Sequence, residues 1–405
     1  VKNWAGNVTF SASTVAYPTG IDELSGLVAG ASRVHAVGSR HSFSTVADTT
    51  GTLVSLDRMP PDIDIDTAGR RVRVAAAVRY GALADRLNAV DLAVPNMASL
   101  PHISVAGAIA TGTHGSGDAN QSLSASVSGL ELVLASGDVV SVSRGDEGFD
   151  GAIVSLGALG VVSSVTLDLV PAFTVRQWVY DDLPAAALSS DIFASAYSVS
   201  VFTSWRDPSV FDQVWVKAVD GWEVAPSSWR GAQLASGPRH PVPGMPAEFT
   251  TEQGGVPGPW HARLPHFRAE FTPSAGEEVQ TEYLVPRSAL IPAVHALAPL
   301  ASRIAPLLMI SEVRSVAADS LWLSMAYERD TIGLHFTWRP SPEIYELLSL
   351  IEDALAPFEP RAHWGKVFTP SMSFPYPRFG DFVSLASAYD PAGKFRNAFI
   401  ELASL

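Results

Sequence analysis

Hydrophobic and polar positions change period several times before residue 170. A 3.6-residue pattern covers Asp22 to Ala31, and a short apolar strand, Val34 to Val37, stops at Gly38. RVRVAAAV from Arg71 alternates with period two, and helical spacing returns from Tyr80 to Val90. Gly129 to Val142 predicts two strands around the turn Ser136-Gly137-Asp138; a helix at 148–157 and a strand at 161–169 follow. Strands in hairpins, with only one or two helices between them, do not fit a doubly wound sheet and predict an α+β fold. Pro171 marks the boundary of this first domain, residues 1–171.

Beyond it the texture changes. FTSWRD, VWVKAVDGW, HFRAEF and LHFTW read as aromatic strands of a second domain, 172–358, built on an antiparallel sheet. Seven prolines between Pro238 and Pro265 exclude regular helix there and predict a long ordered loop or lid. Helical patterns follow at 288–308 and 341–356. In the last segment, 359–405, Asp390 to Gly393 reads as a turn before a final strand. No internal repeat is visible.

Composition narrows the chemistry. The 405 residues hold 27 Lys and Arg against 41 Asp and Glu, a net charge of −14, which argues against nucleic acid or an anionic membrane as partner. With no cysteine, disulfides, thiolate metal sites and thiol nucleophiles are all excluded. The N-terminus VKNWAGNVTFSAS has no apolar core of a signal peptide. The apolar run Ser288–Ser302 is too short to span a bilayer and contains Pro292 and Pro299. A soluble, cytoplasmic, monomeric protein is expected.

The densest motif is PHISVAGAIATGTHGSGD, Pro101 to Asp118. Gly107, Gly112, Gly115 and Gly117 alternate with Ser104, Thr111, Thr113 and Ser116, so backbone amides can approach phosphate oxygens closely. It lacks the P-loop lysine and the G-x-G-x-x-G spacing, and a glycine-rich turn with incidental serines would look the same. A second such turn is VHAVGSRHSFS, where the strand ends at Gly38-Ser39-Arg40-His41. Two phosphate-friendly turns in one domain suggest a pyrophosphate gripped from both sides.

Polar pairs inside apolar strands form the third signal. Glu312 and Arg314 in LLMISEVRSV lie two apart and share one strand face, as do His335 and Thr337 in IGLHFTWRP; Lys366 follows His363 in RAHWGKVF. An ion pair of purely structural role would give the first pair. Three segments presenting such groups inward suit a polyhydroxy ligand, whose hydroxyls need donors and acceptors together. His102, His114, His335 and His363 show no metal-binding spacing, and Ser155 lacks a nucleophile elbow, so neither a metal site nor a hydrolase is expected.

The ordered set VGSRHSFS, VPNMASLPHISVAGAIATGTHGSG, SLGALGVVSSVTL, SEVRSVAADSLWLS, LHFTW, HWGKVF and DPAGKFRNAF resembles the vanillyl-alcohol-oxidase (PCMH-type) FAD flavoproteins, and within them the alditol oxidases. This resemblance covers essentially the whole chain. It implies a two-domain PCMH-type fold whose C-terminal segment returns to the FAD domain, with FAD joined covalently to His41. Ser39, Arg40, Ser42 and Phe43 would flank the pyrophosphate opposite Ser104, Val105, Ala106, Gly107, Thr111, Gly112, Thr113 and His114. Val161, Ser99 and Lys366 would also touch the cofactor, and Ala98 would leave room for oxygen. Arg40 stands where some relatives have glycine. Ser99, Glu312, Arg314 and Thr337 would bind a linear polyol such as xylitol or sorbitol. Lys366, Arg314, Glu312 and His335 form the implied catalytic set, His335 accepting the proton; oxidation at C1 would give an aldose and hydrogen peroxide. The alternatives are an aldonolactone oxidase or dehydrogenase of the same family, and a flavin-free sugar-binding protein or hydrolase.

Overall fold

The computed structural model describes residues 1–271, 277–372 and 375–402. Its N-terminal region holds a three-stranded and a five-stranded sheet, besides a two-stranded ladder between Leu92–Ala93 and Val170–Pro171. Thr14–Ala16, Thr52–Ser55 and Val34–Val37 form a parallel sheet in that spatial order. Leu24 and Val28 of the helix Ile21–Gly30 are buried with Val34 and Val54, which is why the 3.6-residue pattern was visible. The other sheet is antiparallel, in the order Ile63–Asp66, Arg71–Ala75, Val161–Asp168, Val127–Val133, Val139–Ser143. Along Arg71–Ala75 the valines are buried and the arginines exposed. The predicted hairpin closes where the Leu134 amide donates to the Asp138 carbonyl and Gly137 takes φ +91°. The helix expected at 148–157 is shorter, Phe149–Ile153, because Leu156, Gly157 and Gly160 all turn the chain with positive φ.

The second region is built on a large antiparallel sheet. Its central order is Thr174–Pro184, Val210–Ala218, Ser198–Thr203, Leu308–Val316, Thr331–Trp338, Val279–Pro286. One face, carrying Val313, Leu334, Phe336 and Tyr283, is closed by the helices Leu290–Leu297 and Glu343–Leu355 into an apolar core. The opposite face turns toward the N-terminal region, where Leu284 and Val316 join its core beside Val105 and Ala108. HFRAEF is not a strand: apart from one bridge between Phe267 and Thr250 it belongs to the irregular proline-rich loop, whose prolines remove ladder donors.

The helical stretch Arg287–Leu307 runs past the apolar segment read from the sequence. At 21 residues and mean hydropathy 1.3 it is long and apolar enough, by length and composition, to cross a membrane. It is interrupted by 3₁₀ turns, and Leu290, Ala293, Leu297 and Ile304 are buried in the second core. The last described element is a helix, Ala398–Leu402, not a strand: the Asn397 side-chain oxygen accepts the Ile400 amide and caps it. Lys394 donates to the carbonyls of Val28, Ala29 and Ala135, and Asn397 to those of Val46 and Asp48, tying the C-terminal segment to the N-terminal region.

Candidate active site

The two glycine-containing turns of the N-terminal region meet. The Ser39 amide donates to Ser104 Oγ at 3.3 Å and the Ser104 amide to Ser39 Oγ at 3.0 Å. A Cβ on Gly38 would stand 2.2 Å from Ser104 Oγ, and one on Gly107 2.7 Å, so both glycines serve this close approach. Arg40 adopts φ 63°, a left-handed conformation that glycine takes more readily. Thr111 Oγ1 donates to the Gly107 carbonyl at 3.0 Å and pairs with Thr113 Oγ1 at 3.1 Å.

A continuous cavity runs from these turns to the polar face of the large sheet. Ser39, Arg40, His41, Ser42, Phe43, Ala98, Ser99, Ser104, Ala106, Gly107, Thr111, Thr113, His114 and Lys366 line it. Val105, Gly112 and Val161 do not. Val105 and Val161 are core residues, and the neighbours Gly160 and Val162 face the cavity in place of Val161, as strand alternation requires. His41 stacks on Trp4 with ring centroids 5.2 Å apart, and its Nδ1 is buried without a hydrogen-bond partner. Burial, with Arg79 nearby, lowers its pKa to about 4, so the ring is neutral. Paired turns free of side-chain bulk, hydroxyl donors and an unpartnered ring nitrogen fit a flavin dinucleotide.

At the other end, sheet register builds a charged row. Glu282 pairs with His335, and His335 with Glu312, across three neighbouring strands; Gln280 stands opposite Thr337. Arg314 lies opposite Gly333, where a Cβ would come within 2.8 Å of Glu282 Oε1. The glycine thus leaves the space in which Arg314 reaches Glu282, by Nε at 3.1 Å and Nη2 at 2.9 Å. Lys366 Nζ takes the other oxygen of Glu282 at 2.5 Å. Arg314 Nη1 is 3.5 Å from both Glu312 Oε2 and Ser99 Oγ. Glu312 Oε1 is 3.1 Å from His266 Nε2, and His335 Nε2 is 3.1 Å from Gln280 Oε1.

The structure therefore gathers Ser99, Glu312, Arg314, His335, Thr337 and Lys366 in one cavity and adds Gln280 and His266 to its lining, with Glu282 buried behind it, none of which sequence reading found. Glu282 carried the signal that exposed Glu312: it lies in phase with Gln280 inside an apolar strand, VQTEYLVP. His266 had none, because a loop places it.

Burial would raise both carboxylates, but Arg314 and Lys366 hold Glu282 well below the usual range, and Arg314 with His266 does so for Glu312. Burial pushes Lys366 down and Glu282 opposes this. Burial and Lys366 keep His335 and His363 well below 6.5, so both are neutral. Side-chain atoms of His114, Glu282 and His363 lie within 4.8 Å of one another, a grouping with no sequence signature. Both Glu282 oxygens already face cations, which would repel a metal ion.

Residues 12–143 match the FAD binding domain family and 276–402 the D-arabinono-1,4-lactone oxidase family. The chain is 50% identical to the alditol oxidase of a Streptomyces species over 99% of this chain and 98% of that protein. It is 29% identical to an L-gulono-1,4-lactone dehydrogenase of Mycobacterium tuberculosis over 98% of this chain and 97% of that one. Its fold is similar to that of a solvent-stable cholesterol oxidase, with a TM-score of 0.80 at 17% identity, covering 100% and 97% of the two chains. With the flavin-ready turns and the charged sheet face in one cavity, the chain belongs to the alditol oxidase family of PCMH-type, FAD-dependent oxidoreductases.

Proposed function

We propose that this protein oxidises the terminal hydroxyl of linear polyols such as xylitol and sorbitol. The products are an aldose and, with one O2 consumed, one H2O2. The observation that carries the reading is that Arg314 and Lys366, both paired with the buried Glu282, share with Glu312, Thr337 and Ser99 the cavity that His41 also lines. FAD, when bound, supplies the hydride acceptor and returns the electrons to oxygen. Ser39, Ser104 and Thr111 would hold its pyrophosphate, His41 would carry it covalently, and Ala98 would leave oxygen room to enter.

The protein's own groups bind and polarise the alcohol. Glu312 accepts hydrogen bonds from the distal hydroxyls, while Thr337 and Ser99 both donate and accept. Arg314 and Lys366 lower the energy of the developing alkoxide in a buried site, where charge interactions are strong. His335 takes the hydroxyl proton. With Nε2 donating to Gln280, its buried Nδ1 has no partner and presents a bare lone pair.

The test is a visible spectrum of the purified protein, before and after xylitol or sorbitol is added without oxygen. Bleaching of the flavin bands supports the reading, and an unchanged spectrum with every polyol sinks it. Colour retained by acid-precipitated protein and lost in His41→Ala supports the covalent link. The lactone-oxidase match over 276–402 favours a second reading, oxidation of aldonolactones; bleaching by lactones alone would establish it. We further propose a soluble cytoplasmic monomer.

A further inference from the structure

Behind Glu312 lies a buried lysine to which the reaction gives no role. Lys217, on the strand Val210–Ala218, is 2% exposed, and among the described residues no carboxylate lies within ion-pair distance of it. Its ammonium has three N–H bonds and three acceptors: the Leu264 carbonyl, the Pro265 carbonyl at 3.1 Å, and His266 Nδ1 at 3.2 Å. A ring nitrogen that accepts from an ammonium carries no proton. The neutral His266 ring therefore has its proton on Nε2, the nitrogen 3.1 Å from Glu312 Oε1. The edges of Phe202 and Trp215 confine the ring, with centroids 5.7 and 5.3 Å away.

We propose that Lys217 and His266 are positioning residues of the polyol subsite: Lys217 seats the imidazole with its proton on Nε2, and that N–H holds the Glu312 carboxylate in its substrate-accepting orientation. This rests on Glu312 binding the polyol. Without the N–H, one Glu312 oxygen loses its donor and the carboxylate is free to turn further toward Arg314, out of its substrate-accepting orientation.

The arrangement depends on Lys217 being charged. The titratable or charged groups facing it are His266, from the proline-rich loop, and Glu312 and Arg314, from Leu308–Val316; its neighbours across the sheet, Gln177 and Ser198, are neutral. Burial lowers its pKa to about 7. A neutral amine has two N–H bonds for the same three acceptors. His266 Nδ1 then faces a lone pair, which favours moving the ring proton to Nδ1, and Glu312 loses its donor.

Two measurements test this on the holoenzyme. Long-range ¹H–¹⁵N spectra of histidine-labelled protein, taken without substrate, should show the His266 proton on Nε2 below about pH 7. A proton on Nδ1 there overturns the proposal whatever the substrate is. In steady state, the wild-type KM for xylitol should rise as pH passes above about 7. Lys217→Met should raise KM about ten- to a hundredfold at lower pH, the worth of one hydrogen bond to a charged group, with kcat changed less than about twofold. Adding His266→Gln, whose amide can donate to Glu312 without help from Lys217, should restore a low KM that no longer varies with pH. Unchanged KM in Lys217→Met, or no recovery in a double variant with a normal flavin spectrum, refutes the positioning role. If no polyol bleaches the wild-type flavin, the substrate reading fails while the proton position still reports on the Lys217–His266 pair.

Discussion

Glu282 makes no contact with solvent, yet its two oxygens organise the cations that face the substrate. Glu282→Gln would leave Lys366 buried without an ion-pair partner and Arg314 with Glu312 alone, and removing one partner of a buried pair costs about 3–5 kcal/mol. The variant should melt well below wild type and lose polyol-driven flavin reduction, both readable by flavin fluorescence and stopped flow. Lys366→Met removes a positive charge and leaves no charged group unpaired, since Glu282 keeps Arg314. It should fold, hold flavin and lose reduction by xylitol on the order of 10²–10³-fold. An unchanged rate of reduction would remove Lys366 from the chemistry.

Among elements, legibility follows locality. The faces of Arg71–Ala75 were readable because period-two burial is written in adjacent residues, and those of Leu308–Val316, buried almost throughout, because polar residues recur there with period two. Glu312 with Arg314, and His335 with Thr337, were found for the same reason. What joins these pairs is strand register, in which Glu282, His335 and Glu312 become neighbours over more than 50 positions of chain, and nothing in a local window records it. The final helix was missed because a capping asparagine acts through one side-chain oxygen, which composition does not show. The turn at Arg40 gives an element-scale prediction. A left-handed L-residue costs roughly 1–2 kcal/mol, more than the roughly 0.5–1 kcal/mol lost to glycine's added chain entropy. Arg40→Gly should therefore keep or raise Tm with flavin bound. Arg40→Val, β-branched in that conformation, should lower Tm and flavin content. Equal melting of the two variants would contradict this account of the turn.

The whole molecule is sensitive to acid for a reason spread over both cores. Burial, as the leading cause, lowers His35, His114, His240 and His266 to about 4, and His335 and His363 well below 6.5. An unfolded chain would protonate these rings near pH 6.5, so it binds more protons than the native state between about 6.5 and 4. What these rings contribute to stability is therefore full above about pH 6.5 and falls as pH drops toward 4. A series of calorimetric melts should show Tm declining steeply across that window; a flat profile would mean that these rings are not held neutral.

Neutral imidazoles also leave the charge around the catalytic face to its carboxylates and cations alone. Below about pH 7, three buried carboxylates, Glu278, Glu282 and Glu312, stand against three cations, Arg314, Lys366 and Lys217. Losing the Lys217 proton above that pH leaves the face one charge more negative, so any polyol-shaped monoanion is held less well as pH rises. Aldonates, the acids one oxidation level above the aldose product, have that shape and charge. In steady-state inhibition they should compete with the polyol more strongly at pH 6 than at pH 8.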